Sequence, residues 1–194
     1  MWYRICLLII YVFSLNVSSR AQTELPYKEI PSYPQNYTQG TVISRMIDGL
    51  GYRYYWATEN LRTSDLDFKP DTLARSTFET MEHIYGLSFM ILNASKNQVN
   101  ERRDPVQMTA KDLRLATLYN LKSASEAMAL VENLDELTIL FEGSTGREAL
   151  PFWHVLNGPL ADAIYHTGQM VSFRRTSGNP MNPKVNVFMG KTDL

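Results

Sequence analysis

Four residues near the C-terminal end fall on one stripe of a helix: Asp162, His166, Gln169 and Phe173, at i, i+4, i+7 and i+11. From Pro159 to Phe173 the only formally charged residue is Asp162, so this helix reads as apolar nearly all round, and such helices are usually buried. A carboxylate and an imidazole buried together need partners or a metal, because an unpaired buried charge costs several kcal/mol. His83 lies on a second apolar stretch, on a stripe with Glu79, Leu87 and Met90. Two antiparallel helices at ~8–10 Å bring it opposite Asp162 and His166. Two imidazoles and one carboxylate form a three-ligand set that suits zinc or ferrous iron and leaves positions open for water or substrate. Such a metal polarises a carbonyl or lowers the pKa of a bound water toward ~7. The competing reading is a non-catalytic scaffold or binding protein in which Asp162 and His166 form only a buried ion pair.

The third histidine, His154, is expected to be structural: a straight helix would place it ~18 Å from His166. Arg174-Arg175 could hold an anionic substrate group at the rim, although a cation pair at a helix C-terminus is favourable in itself. Gln169 and Tyr165 are placed to orient a water. Other chemistries find no pattern. The chain has no His-Glu-x-x-His, no Glu-x-x-His pair for a di-iron site, no Gly-x-Ser-x-Gly and no phosphate-binding glycine loop.

Positioning these side chains takes four helical stretches. The first, about 40–58, sets Ile43, Met46, Ile47, Leu50, Tyr54 and Ala57 on one face; Gly49 and Gly51 within it suggest close packing. A loop from Thr63 to Pro70 precedes the capping box Ser76-Thr77-Phe78-Glu79, which opens helix two at about 77–93. After a polar loop containing Arg102-Arg103-Asp104-Pro105, Thr109 and Asp112 cap helix three, about 110–134, whose apolar arc is Leu113, Leu121, Ala124, Met128 and Val131. Gly143 to Gly146 mark a loop before helix four, about 150–175, kinked or restarted at Asn157-Gly158-Pro159. Residues 179–194 read as an irregular tail, with one short extended piece over Val185–Met189. Four amphipathic helices with almost no strand pattern predict an all-α, up-down four-helix bundle over residues 40–178.

The chain of 194 residues carries 19 Lys+Arg against 20 Asp+Glu. That balance argues against a nucleic-acid binder and against a polybasic membrane-surface protein. Residues 1–21 read as a signal peptide, with Arg4, an apolar run from Ile5 to Leu15 and small residues before Ala21. The run is shorter than the ~20 residues that span a bilayer. Periplasmic or secreted export is therefore expected, with no integral membrane segment after cleavage. Cys6, the only cysteine, would leave with this segment, taking thiolate metal ligands and disulfides out of consideration. Residues 22–39 read as an extended lead-in, with Pro26, Pro31 and Pro34.

Three of these segments resemble the DinB-like (DinB/YfiT-like) superfamily. They are the first helix with Leu66-Asp67-Phe68-Lys69-Pro70, the stretch Glu79-Thr80-Met81-Glu82-His83-Ile84, and Asp162-Ala163-Ile164-Tyr165-His166-Thr167-Gly168-Gln169, which resembles the family's His-x-x-x-His-x-x-Gln. The resemblance implies an up-down four-helix bundle of DinB/YfiT type holding one divalent metal (zinc, nickel or iron) through His83, Asp162 and His166. Characterised relatives include thiol-dependent transferases, and the activity expected here is metal-dependent hydrolysis or group transfer on an unidentified small molecule, with a homodimer as a candidate assembly. Asp162 departs from the family's usual histidine but keeps three ligands.

Overall fold

The computed structural model describes residues 24–101, 107–144 and 146–192. The expected signal peptide, Cys6 and the Arg102-Arg103-Asp104-Pro105 segment lie outside them. The fold is mostly helical. The helices are α1 (Gln39–Ala57), α2 (Thr63–Leu66), α3 (Thr77–Ser95), α4 (Ala110–Met128), the short α5 (Trp153–Val155) and α6 (Ala161–Thr176). α1 and α3 each pack against both α4 and α6. The shared core includes Ile47, Leu50 and Tyr54 of α1, Met81, Ile84 and Ile91 of α3, Leu113, Leu118 and Leu121 of α4, and Met170 of α6.

Capping follows the sequence closely. Ser76 Oγ accepts from the Glu79 amide while Glu79 accepts from the Ser76 amide. Thr109 and Asp112 make the same exchange at α4, each such cap being worth about 1 kcal/mol. Gly51 packs where expected: a Cβ there would enter the Tyr27 ring. Met46 does not, being substantially exposed.

Three expectations need correction. Helix three ends at Met128 rather than 134; a short 3-10 turn at Leu134–Glu136 follows, with the Asn133 side chain accepting from the Asp135 amide. The region before helix four is not merely a loop. Thr138–Gly143 and Gly146–Pro151 form antiparallel strands β2 and β3, and β2 pairs in parallel with β1, Val99–Asn100. Leu137 and Ile139 are buried and Phe141 packs against the core. This is the period-2 pattern of a half-buried strand, short enough to be absorbed into a helical reading. Finally, the lead-in is not simply extended: Tyr27 takes φ 74° and is buried against α1. In the tail, Val185–Asn186 (β4) pairs with Lys191–Thr192 (β5), and Tyr52 donates to the Lys191 carbonyl at 2.6 Å.

Among the described residues no helix is long and apolar enough to cross a membrane.

Candidate metal centre

The last long helix begins at Trp153, and at Leu156–Leu160 it widens into a π-helical turn before α6. Pro159 has no amide hydrogen and its ring excludes the usual i−4 carbonyl, so a wider turn accommodates it without breaking the chain direction. The kink expected at Asn157-Gly158-Pro159 is this widening. It sits directly before Asp162.

α6 is not buried all round, contrary to the reading from its composition. Its core stripe is Ala163, Thr167, Met170 and Arg174. The stripe Asp162, His166, Gln169, Phe173 lies one residue around the wheel and is half-buried, while Ala161, Tyr165, Gly168 and Ser172 face solvent. Small and uncharged exposed residues made that outer face look apolar. The consequence is a site at the lip of the α3–α6 seam, open on one side.

His83, Asp162 and His166 converge there, their ligand atoms all within 4.8 Å of one another. His83 Nε2 lies 2.9 Å from Asp162 Oδ2, and His166 Nε2 lies 3.3 Å from Asp162 Oδ1. The two imidazoles meet edge to face, with centroids 4.7 Å apart and planes at 88°. Ligand atoms ~2.0–2.2 Å from a tetrahedral ion stand about 3.3–3.6 Å apart, so these separations are close to a ligand sphere. Side-chain exposure falls from 40% at Asp162 through 29% at His83 to 13% at His166.

Gln169 fixes the deepest donor. His166 Nδ1 lies 2.7 Å from Gln169 Oε1. A carbonyl oxygen only accepts, so Nδ1 carries a hydrogen and Nε2 is the ring nitrogen turned toward the site. Nε2 lies 3.3 Å from Asp162 Oδ1, a contact that either a proton on Nε2 or a cation between the two atoms satisfies. An outer partner of this kind is what holds metal-ligating imidazoles in one tautomer. The cluster could hold a metal ion.

Tyr165 is exposed, its ring packed edge-on against His166 at 5.3 Å. With Leu87, Met90 and Pro159 it lines an open groove of about 380 Å³ beside Asp162. Pro159 contributes because the π turn brings it to the lip, a position that helical spacing alone does not give.

The remaining candidates are elsewhere. Arg174 is buried, and its guanidinium donates to the carbonyls of Trp56 (2.9 Å), Ala57 (3.3 Å) and Asn179 (2.8 Å). It closes the C-terminal end of α1 and is not available to an anionic substrate; burial lowers its pKa. Arg175 is exposed and, thirteen residues past Asp162, lies ~20 Å further along the helix. His154 is exposed and stands outside the cluster, so it is not a buried structural histidine.

Comparison of the chain with protein-family models, with curated proteins and with solved structures finds no match. The fold and site alone define its class: a mostly helical protein carrying a His–Asp–His cluster at the seam of two helices.

Proposed function

We propose that this chain is a DinB-like four-helix protein that binds one divalent cation through His83, Asp162 and His166. We take it to be a metal-dependent hydrolase or group transferase for a small molecule, working outside the cytoplasm after loss of residues 1–21. The observation that carries the reading is the convergence of His83, Asp162 and His166, with ligand atoms within 4.8 Å of one another and His166 Nδ1 tied to Gln169. Two imidazoles and a carboxylate suit zinc, nickel or ferrous iron. When bound, such an ion supplies Lewis acidity, polarising a substrate oxygen or acidifying a water.

The chain's own residues do the rest. Gln169 holds His166 in one tautomer. Asp162 contributes the negative charge that balances part of the cation. Leu87, Met90 and Pro159 offer an apolar wall to a substrate beside the metal, and Tyr165 covers the outer edge of His166. Among the described residues no lysine or arginine lines this groove, which favours a neutral substrate arm over an anionic one.

The second reading, a non-catalytic protein with an Asp–His cluster, has one observation in its favour: His83 Nε2 and Asp162 Oδ2 are already within hydrogen-bond distance at 2.9 Å. Titration calorimetry with Zn²⁺, Ni²⁺ and Fe²⁺ separates the two. The metal reading expects one equivalent bound, melting raised by the metal, and loss of both effects in His166→Ala; at free metal 100 times Kd the stabilisation is about 2.7 kcal/mol. No binding, with melting unchanged by metal or chelator, overturns it.

A further inference from the structure

The proline-rich strap at the start of the described chain, with α1 and α4, lines a half-open cavity of about 460 Å³. Small-molecule pockets run from roughly 300 to 1,000 Å³. Asp48 lines this cavity and is only 8% exposed. Tyr27 donates its phenol hydrogen to Asp48 Oδ1 at 3.0 Å, and Ser125 Oγ donates to the same oxygen at 2.6 Å. Ser44 Oγ lies 2.8 Å from Ser125 Oγ. With the Ser125 hydrogen committed to Asp48, the Ser44 hydroxyl is the donor in that pair.

Two hydroxyls thus donate to one carboxylate oxygen, with Ser44 behind Ser125, an arrangement that favours an anion. Burial opposes it and raises the Asp48 pKa. The oxygen Oδ2 takes no hydrogen bond, and Asp48 forms no ion pair among the described residues. The nearby cations are already engaged. Arg45 donates to the Pro31 carbonyl at 2.7 Å and lies 4.7 Å from the Tyr33 ring centroid, while Lys122 stands 3.6 Å from Glu126. Arg45 and Lys122 line the cavity and Arg45 favours the Asp48 anion through space, but neither is in ion-pair contact with it, so Oδ2 keeps an open acceptor position. Tyr27, which joins the network, takes a positive φ that non-glycine residues adopt at a cost.

We propose that this cavity is a second binding site, for a small organic ammonium ion whose nitrogen sits on Asp48 Oδ2 and whose hydrocarbon lies against Pro26, Pro31 and Pro34. A divalent metal is a poorer match. Hard cations take six or more oxygen ligands, several of them charged, and these walls are largely apolar.

Calorimetry on the full chain with cyclohexylammonium and with cyclohexanol, its neutral counterpart of similar shape, tests this. The ammonium is expected to bind about tenfold or more tighter than the alcohol, as a charge-assisted hydrogen bond requires. Asp48→Asn should erase that preference. Ala129→Trp, at an exposed rim position, should block both probes while leaving the carboxylate in place, and so covers the case in which Asp48→Asn does not fold. His166→Ala, in the metal centre, should leave ammonium binding unchanged. Equal affinity for the two probes, no binding of either, a preference that survives in folded Asp48→Asn, or binding that survives in Ala129→Trp would overturn the proposal.

Discussion

Asp65 and Asp162 are both carboxylates in contact with basic side chains, yet their surroundings are opposite. Asp65 is 1% exposed, and both its oxygens are saturated. Oδ2 accepts from the Arg62 amide (2.8 Å), Arg62 Nε (2.9 Å) and Asn179 Nδ2 (2.6 Å); Oδ1 accepts from Arg62 Nη2 (2.7 Å) and Ser177 Oγ (2.6 Å). These bonds tie α2 to the end of α6 and the tail. Asp162 has a 40% exposed side chain, with His83 Nε2 at 2.9 Å and His166 Nε2 at 3.3 Å. A carboxylate with every acceptor position filled is a fastening and has nothing left to offer a ligand. One that is half open, with fewer of its acceptor positions filled, has coordination to spare. In this pair exposure and completeness of hydrogen bonding run together: the saturated carboxylate is buried, and the one with acceptor positions left is half open.

The largest effect that sharpens the contrast is expected at Asp65. Asp65→Asn puts an amide NH2 against donors and removes the charge facing Arg62, which should cost about 2–3 kcal/mol, reduced from the full buried-pair penalty because Arg62 is half exposed. Thermal melting should fall by roughly 5–10 °C for a chain of this length. A fall below about 1 °C would show that the saturated network holds nothing together.

The same network makes stability depend on pH. Hydrogen bonds from the Arg62 guanidinium, followed by those from Ser177, the Arg62 amide and Asn179, hold the Asp65 pKa well below the carboxylate range. A folded-state pKa depressed in this way contributes stability that is fully present above the unfolded value of ~3.9 and is lost as pH falls toward the folded one. Denaturant midpoints of the unsubstituted chain should therefore drop below about pH 4 more steeply than those of Asp65→Asn. Parallel curves would remove Asp65 from the account.

An intermediate effect is expected at Gln169. Gln169→Leu keeps the volume but lets the His166 ring choose its tautomer, and loss of an outer partner costs roughly 10–100-fold in metal affinity. Zn²⁺ titration should show the weakening with one-to-one stoichiometry retained. Unchanged affinity would mean that His166 is oriented by packing alone.

Much of this architecture was legible in the residues. The Ser76 and Thr109 caps and the i, i+4, i+7 stripe on α6 follow from local pattern, which is strong, while the meeting of His83 with that stripe rests on the expectation that two apolar helices pack side by side. What was hidden depends on contacts distant in sequence. Arg174 and Arg175 are indistinguishable as neighbours, and only the carbonyls at the end of α1 decide that Arg174 is buried. Leu137, Ile139 and Phe141 carry a strand pattern, but it is brief and needs β1 and β3 as partners. The exposed face of α6 misled because alanine, glycine, serine and tyrosine give no charge by which to recognise solvent. Asp48, one turn after Ser44 on the buried side of α1, was a polar pair inside an apolar face, and its meaning came only with Tyr27 and Ser125.

The smallest stability effect should come from making the same chemical change at the other carboxylate. In metal-free protein Asp162→Asn removes partly exposed contacts with His83 and His166, a class of interaction worth about 0–1 kcal/mol. Melting without metal should therefore move by no more than about 4 °C in either direction. Added Zn²⁺ should then stabilise the unsubstituted chain and leave Asp162→Asn unmoved, because the amide lacks the negative charge that completes the ligand set. If instead metal-free Asp162→Asn melts as low as Asp65→Asn, the half-open carboxylate is a fastening after all, and incomplete hydrogen bonding no longer marks a ligand site in this fold.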